Sequence, residues 1–106
     1  MKILFDQGVP APLQRYLPLH DVSTAYEKGW SRLRNGNLLS AAEEEGFEVF
    51  LTTDQNLRFE QNLNHRTLAV VILGTTSWPR IKLATDNILA AIETANISQF
   101  TFVEIP

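Results

Sequence analysis

The chain has 106 residues, 44% of them hydrophobic and 20% charged, with five glycines and five prolines. That is one domain's worth of material, able to bury roughly two-thirds of its unfolded surface, and it is neither disordered nor collagen-like. The absence of cysteine excludes disulfides, thiolate zinc sites and cysteine nucleophiles, and a formal net charge of -3 argues against a surface that coats nucleic acid.

Residues 2–5 are an apolar run stopping at Asp6, which predicts a buried strand, then a turn through Gly8 and a helix entered at Pro10. That helix should run from Pro10 to Leu17 and end at Pro18. A weaker strand follows over Asp21–Ala25, then a long loop from Tyr26 to Arg34. Asn35-Gly36-Asn37 opens the next helix, with Leu38, Leu39 and Ala42 inward, Glu43, Glu44 and Glu45 toward solvent, and Gly46 as a left-handed cap. Glu48–Thr52 makes a third strand ending at Thr53-Asp54, and Gln55–Asn64 reads as a short amphipathic helix. Thr67–Leu73 is the strongest strand, apolar enough to be buried on both faces. A helix with Ile81, Ala84, Ile88, Ile92 and Ala95 at helical spacing runs from Trp78 to about residue 95, and Phe100–Ile105 is a fifth strand. Its alternating apolar residues could complete the sheet or pair with a second copy, so a homodimer is open.

This βαβαβαβαβ order predicts a single three-layer α/β domain with a mostly parallel five-strand sheet. The apolar run Leu68–Leu73 is far short of the roughly 20 residues of a membrane span, and residues 1–6 do not read as a secretory signal. A cytoplasmic protein with no membrane partner is the expectation.

In such sheets chemistry sits beyond the carboxyl ends of the strands, where the sequence places Asp6, Asp54 and Thr75-Thr76-Ser77. Two convergent carboxylates repel unless a cation offsets them, and Mg²⁺ commonly takes one or two carboxylates with waters and phosphates. Each Asp could instead cap the segment that follows it. Lys28, Arg32, Arg34, Arg58, Arg66, Arg80 and Lys82 fall in segments that begin at the same edge, and the Glu43–Glu45 and Glu48 acids lie away from it. A positive rim around two acids suits a phosphodiester, with Arg32, Arg34, Arg58 and Arg80 as candidate backbone contacts. Trp30 and Trp78 could stack bases, although packing is the commoner role of a loop tryptophan. His20 and His65 lack ligand spacing and read as surface residues.

The segments Ile3-Leu4-Phe5-Asp6-Gln7-Gly8-Val9-Pro10, Asn35-Gly36-Asn37-Leu38-Leu39 and Leu51-Thr52-Thr53-Asp54-Gln55-Asn56-Leu57 together resemble the compact PIN-like proteins. These are small relatives of the PIN-domain ribonucleases, and toxins of toxin–antitoxin pairs are counted among them. The resemblance covers nearly the whole chain in the same element order. It implies acids holding Mg²⁺ or Mn²⁺ for RNA hydrolysis, with an antitoxin protein as a further partner. Carried over by position, Asp6 and Asp54 are the catalytic and metal-holding acids, and Asn56 and Asn37 complete the shell where such proteins often carry acids. Asparagine can ligate through its carbonyl oxygen but brings no charge and no general base. Asn35 or Asn37 could equally be the N-cap of its helix, and Glu27 or Glu60 could restore a missing charge.

The sequence therefore supports a metal-dependent endoribonuclease, or alternatively a PIN-like module that binds RNA or a protein without turnover. A receiver-type phosphoacceptor at Asp54 is disfavoured, because the fifth strand ends without a lysine.

Overall fold

In the computed structural model, which describes residues 1–106, the apolar runs become five strands: β1 (Lys2–Phe5), β2 (Asp21–Thr24), β3 (Val49–Thr52), β4 (Ala69–Leu73) and β5 (Phe100–Val103). A 3₁₀ helix (Ala11–Tyr16) joins β1 to β2, and α1 (Asn35–Glu44) joins β2 to β3. The single turn α2 (Leu57–Glu60) precedes β4, and α3 (Trp78–Lys82) with α4 (Thr85–Thr94) precedes β5. The sheet order is β2-β1-β3-β4-β5, and all four pairings are parallel.

Strand alternation divides the core in two. Ile3, Phe5, Val49, Leu51, Val71 and Leu73 face Leu13, Ile81, Ile88 and Ile92 on one side of the sheet. Leu4, Phe50, Val70 and Ile72 face Leu38, Leu39, Ala42 and Leu57 on the other. Each of these side chains larger than alanine contributes about 1.5–3 kcal/mol when fully buried, and covering both faces is what an all-parallel sheet requires. The result is the expected three-layer α/β domain. No helix is long and apolar enough to cross a membrane.

Three elements depart from their expected form. The first connection is 3₁₀ rather than α: Leu17, out of helical geometry ahead of Pro18, cuts it to six residues, a length at which 3₁₀ turns are common. The stretch 55–64 forms one helical turn only: Gln61 is extended, and the Asn62 side chain accepts the Asn64 amide at 2.8 Å, closing a turn that competes with helix. The long helix expected from Trp78 is two helices. Leu83 and Ala84 donate to the carbonyls of Arg80 and Ile81, ending α3, and Ala84 leaves helical geometry at φ -116° and ψ 18°. No glycine or proline marks that break, and the apolar spacing runs through it. Gly46 adopts the expected positive φ of 80°.

Strand order creates the site. The chain leaves β1 outward to β2, then returns across it to β3, so the connections after β1 and β3 diverge. A crevice opens at that switch point, above the carboxyl ends of the two strands.

Candidate functional site

A cleft of about 300 Å³ occupies this crevice, lined by Asp6, Gln7, Leu33, Arg34, Asn35, Leu38, Phe50, Asp54, Leu57 and Glu60. The two aspartates are both half-buried and are linked through a third residue. Thr52, the last residue of β3, is fully buried. Its hydroxyl donates to Asp6 Oδ2 at 2.8 Å and accepts the Asp54 amide at 3.0 Å. One hydroxyl thus ties the end of β1 to the turn after β3. Asp6 Oδ1 accepts its neighbouring Gln7 amide at 2.8 Å, and Asp54 Oδ1 accepts the Asn56 amide at 3.0 Å. Both carboxylates therefore shape their own loops as well as facing the cleft, which combines the two roles that the sequence left open.

The loops also touch. A Cβ on Gly8 would overlap Thr53 Oγ1, so any other residue there would force the Thr53 side chain or one of the two loops to shift. Gln7 Nε2 donates to the Ser31 carbonyl at 2.5 Å and fastens the β2 loop across the same end of the sheet.

No cation of the protein lies within ion-pair distance of Asp6, Asp54 or Glu60; the ion pairs are His20–Glu93, Lys28–Glu45 and Arg66–Glu43. Asp6 and Asp54 are thus carboxylates in a shared cleft with no ion-pair partner. No set of three or more His, Cys, Asp or Glu side chains is arranged to hold a metal ion. The carboxylates that line the cleft are Asp6, Asp54 and Glu60, and Mg²⁺ in general takes one or two protein carboxylates and completes its shell with waters and phosphate.

Of the residues singled out in the sequence, Asp6, Asp54 and Arg34 line the cleft, and so does Glu60. Asn35 lines it in place of Asn37. Neither asparagine caps α1: its N-cap is Arg34, without a side-chain bond, and Asn35 takes a positive φ of 46°. That left-handed bend is tolerated by asparagine, and it carries the side chain to the cleft wall, a placement no spacing rule signals. Asn56 reaches Asp54 through its main-chain amide and is otherwise exposed outside the cleft wall. Glu27 does not fold back: its carboxylate accepts the Thr24 amide at 3.0 Å, and Thr24 Oγ1 accepts the Glu27 amide at 3.0 Å.

The basic rim is thinner than the sequence suggests. Lys28 pairs with Glu45 at 3.1 Å, and Arg66 pairs with Glu43 at 2.5 Å. The glutamates expected in solvent are therefore partners of cations expected at the rim. Arg80 donates to the main-chain oxygens of Ile105 and Pro106 at 2.8 and 3.0 Å, which commits it to the end of β5. Arg32 is exposed and Arg58 lies against aromatic rings, both outside the cleft wall. Only Arg34 remains a direct cleft cation.

The Glu43 carboxyl is held below its ordinary value. Partial burial pushes its carboxyl up, but the Thr67 amide, the Arg66 guanidinium and the Thr67 hydroxyl outweigh burial and hold it below the usual range. Both tryptophans are packing residues. Trp30 meets Phe47 edge-on at 6.1 Å, and Trp78 meets Tyr16 at 5.9 Å. His20 is not a surface residue: its side chain is 8% exposed, with Nε2 3.7 Å from Glu93.

Comparison with protein-family models, curated proteins and solved structures found no match to this chain.

Proposed function

We propose that the chain is a metal-dependent phosphodiesterase acting on RNA, with Asp6 and Asp54 as the metal-holding acids. The observation that carries this is the pair of carboxylates at the switch-point cleft, joined through the buried Thr52 hydroxyl and held in no ion pair. The resemblance to PIN-like ribonucleases supports the same assignment. A bound Mg²⁺ or Mn²⁺ supplies a water of lowered pKa and neutralises developing charge on the phosphate.

The chain's own residues hold and orient. Asp6 and Asp54 present carboxylate oxygens to one cleft, and Thr52 limits the rotation of Asp6 by donating to Oδ2. Arg34 attracts the phosphodiester to the cleft it lines, and Asn35 offers a neutral carbonyl oxygen and an amide donor. Glu60, which also lines the cleft, is the remaining carboxylate and can accept a proton from an attacking water. An antitoxin protein would act by covering this cleft.

The second reading, a module that binds RNA or a protein without turnover, is favoured by the lack of a three-acid metal cluster. Incubation of the protein with single-stranded RNA in Mg²⁺ or Mn²⁺ separates the two. Cleavage that is abolished by chelator and by Asp6→Asn or Asp54→Asn supports the nuclease. Binding with no turnover in any divalent cation selects the module, and cleavage untouched by both substitutions refutes the assigned residues.

A further inference from the structure

Arg58 and Phe59 on α2 and Phe102 on β5 form a cluster that neither core layer nor the cleft wall contains. The Arg58 guanidinium lies 4.8 Å from the Phe59 ring centre and 5.6 Å from that of Phe102. Phe59 is 75% exposed and Phe102 is 44% exposed. Arg58 forms no ion pair. Folding alone does not account for two phenyl rings left in water around an unpaired cation.

The cluster adjoins the proposed site. The turn that carries Arg58 and Phe59 begins two residues after Asn56's neighbour Gln55, and its other residues, Leu57 and Glu60, line the cleft. Gln55 Nε2 donates to the Gly74 carbonyl at 3.1 Å, and Gly74 lies so close to Phe102 that an added Cβ would meet its ring at 3.2 Å. These contacts hold Phe102 beside the loop that carries Asp54.

We propose that Phe59, Arg58 and Phe102 form a platform on which unpaired bases of single-stranded RNA stack, with Arg58 contacting the backbone as the strand enters the Asp6–Asp54 cleft. The identity of the strand rests on the ribonuclease reading. Aromatic faces accept any base, and an arginine adds both cation–π attraction and phosphate neutralisation. A protein partner fits less well. At about 200 Å² per phenylalanine, the two rings expose roughly 240 Å², against about 800 Å² per partner in a standard interface. Burying Arg58 there unpaired would also leave its charge uncompensated.

The test is fluorescence anisotropy of a labelled oligouridylate with the full chain in chelator, which prevents cleavage. Phe59→Ala and Phe59→Leu should each raise Kd about 5-fold or more, whereas Phe59→Tyr should bind like the wild type. Arg58→Ala should weaken binding and reduce the slope of log K against log salt by about 0.7. Duplex RNA should compete poorly. Unchanged affinity in Phe59→Ala and Arg58→Ala, or no binding by the wild type, overturns the platform. Concentration-dependent self-association that Phe59→Ala abolishes also overturns it, by assigning the rings to a second copy. Platform-dependent binding without cleavage in Mg²⁺ or Mn²⁺ leaves the platform standing and removes the nuclease, and cleavage with unaltered binding in the variants does the reverse.

Discussion

Thr52→Val removes one hydroxyl from a fully buried position and keeps the side chain's shape, so it isolates what that oxygen does. Two bonds disappear: the donation to the charged Asp6 Oδ2 at 2.8 Å and the acceptance of the Asp54 amide at 3.0 Å. A buried donor left unpaired costs about 1–3 kcal/mol, and a bond to a charged acceptor is worth about 1.5–3 kcal/mol. The added methyl returns at most about 0.8 kcal/mol of apolar burial. Water reaching the half-buried aspartates restores part of the rest, so a net loss of about 1–3 kcal/mol is expected. At about 4–8 °C per kcal/mol for a domain slightly smaller than this one, the thermal midpoint should fall visibly in circular dichroism. Activity separates a positioning role from simple destabilisation. Residues that orient metal-holding groups typically cost about 10–100-fold when removed. Thr52→Val should therefore lose at least about 10-fold in RNA cleavage at a temperature where it is fully folded. Thr52→Ser keeps the hydroxyl, loses only the buried methyl, and should cleave near the wild-type rate. Equal cleavage by the valine variant and the wild type, or equal losses in the valine and serine variants, would refute the positioning role of the hydroxyl.

Gly8→Ala forces a Cβ onto Thr53 Oγ1, which the β-branched side chain cannot easily swing aside. It should separate the Asp6 and Asp54 loops and lower cleavage by about 10–100-fold, the scale of a 1 Å misplacement, as single-turnover kinetics will show. Glu43 has a folded-state carboxyl held below its ordinary value of 4.5, so it stabilises the fold above that pH, and the contribution is lost as pH falls through its folded value. Urea midpoints should therefore drop on acidification below about pH 4.5, and Glu43→Gln should flatten that portion of the profile. In the same variant Arg66 loses its carboxylate partner, which should lower stability at neutral pH.

Fold class was legible because burial period is written directly in side-chain type. The run Ala69–Leu73 reads as a doubly covered strand and is one, and Ile88 and Ile92, at helical spacing, are fully buried. Asp6 and Asp54 were legible for a related reason: an acid within two residues of the end of an apolar strand in a parallel sheet emerges at its carboxyl edge. Helix ends were not. The break between α3 and α4 leaves the apolar spacing intact, and the shortness of α2 depends on the Asn62 turn rather than on any helix breaker.

The site's details needed contacts between residues far apart in the chain. Thr52 reads as one more strand residue until the sheet sets it beside Asp6. Asn35 and Glu60 enter the cleft because a left-handed bend and a single helical turn aim them there, and neither feature has a fixed sequence spacing. The rim shows the limit most plainly. By segment, Lys28 and Arg66 belong with the cations around the acids, but the fold carries them to Glu45 and Glu43. Length and the absence of cysteine bounded the chain to a small domain without thiol ligands, and the order of its apolar runs set the α/β class. Where its charges act was decided by the tertiary structure, because electrostatic pairing depends on distance in space and a sequence specifies only distance along the chain.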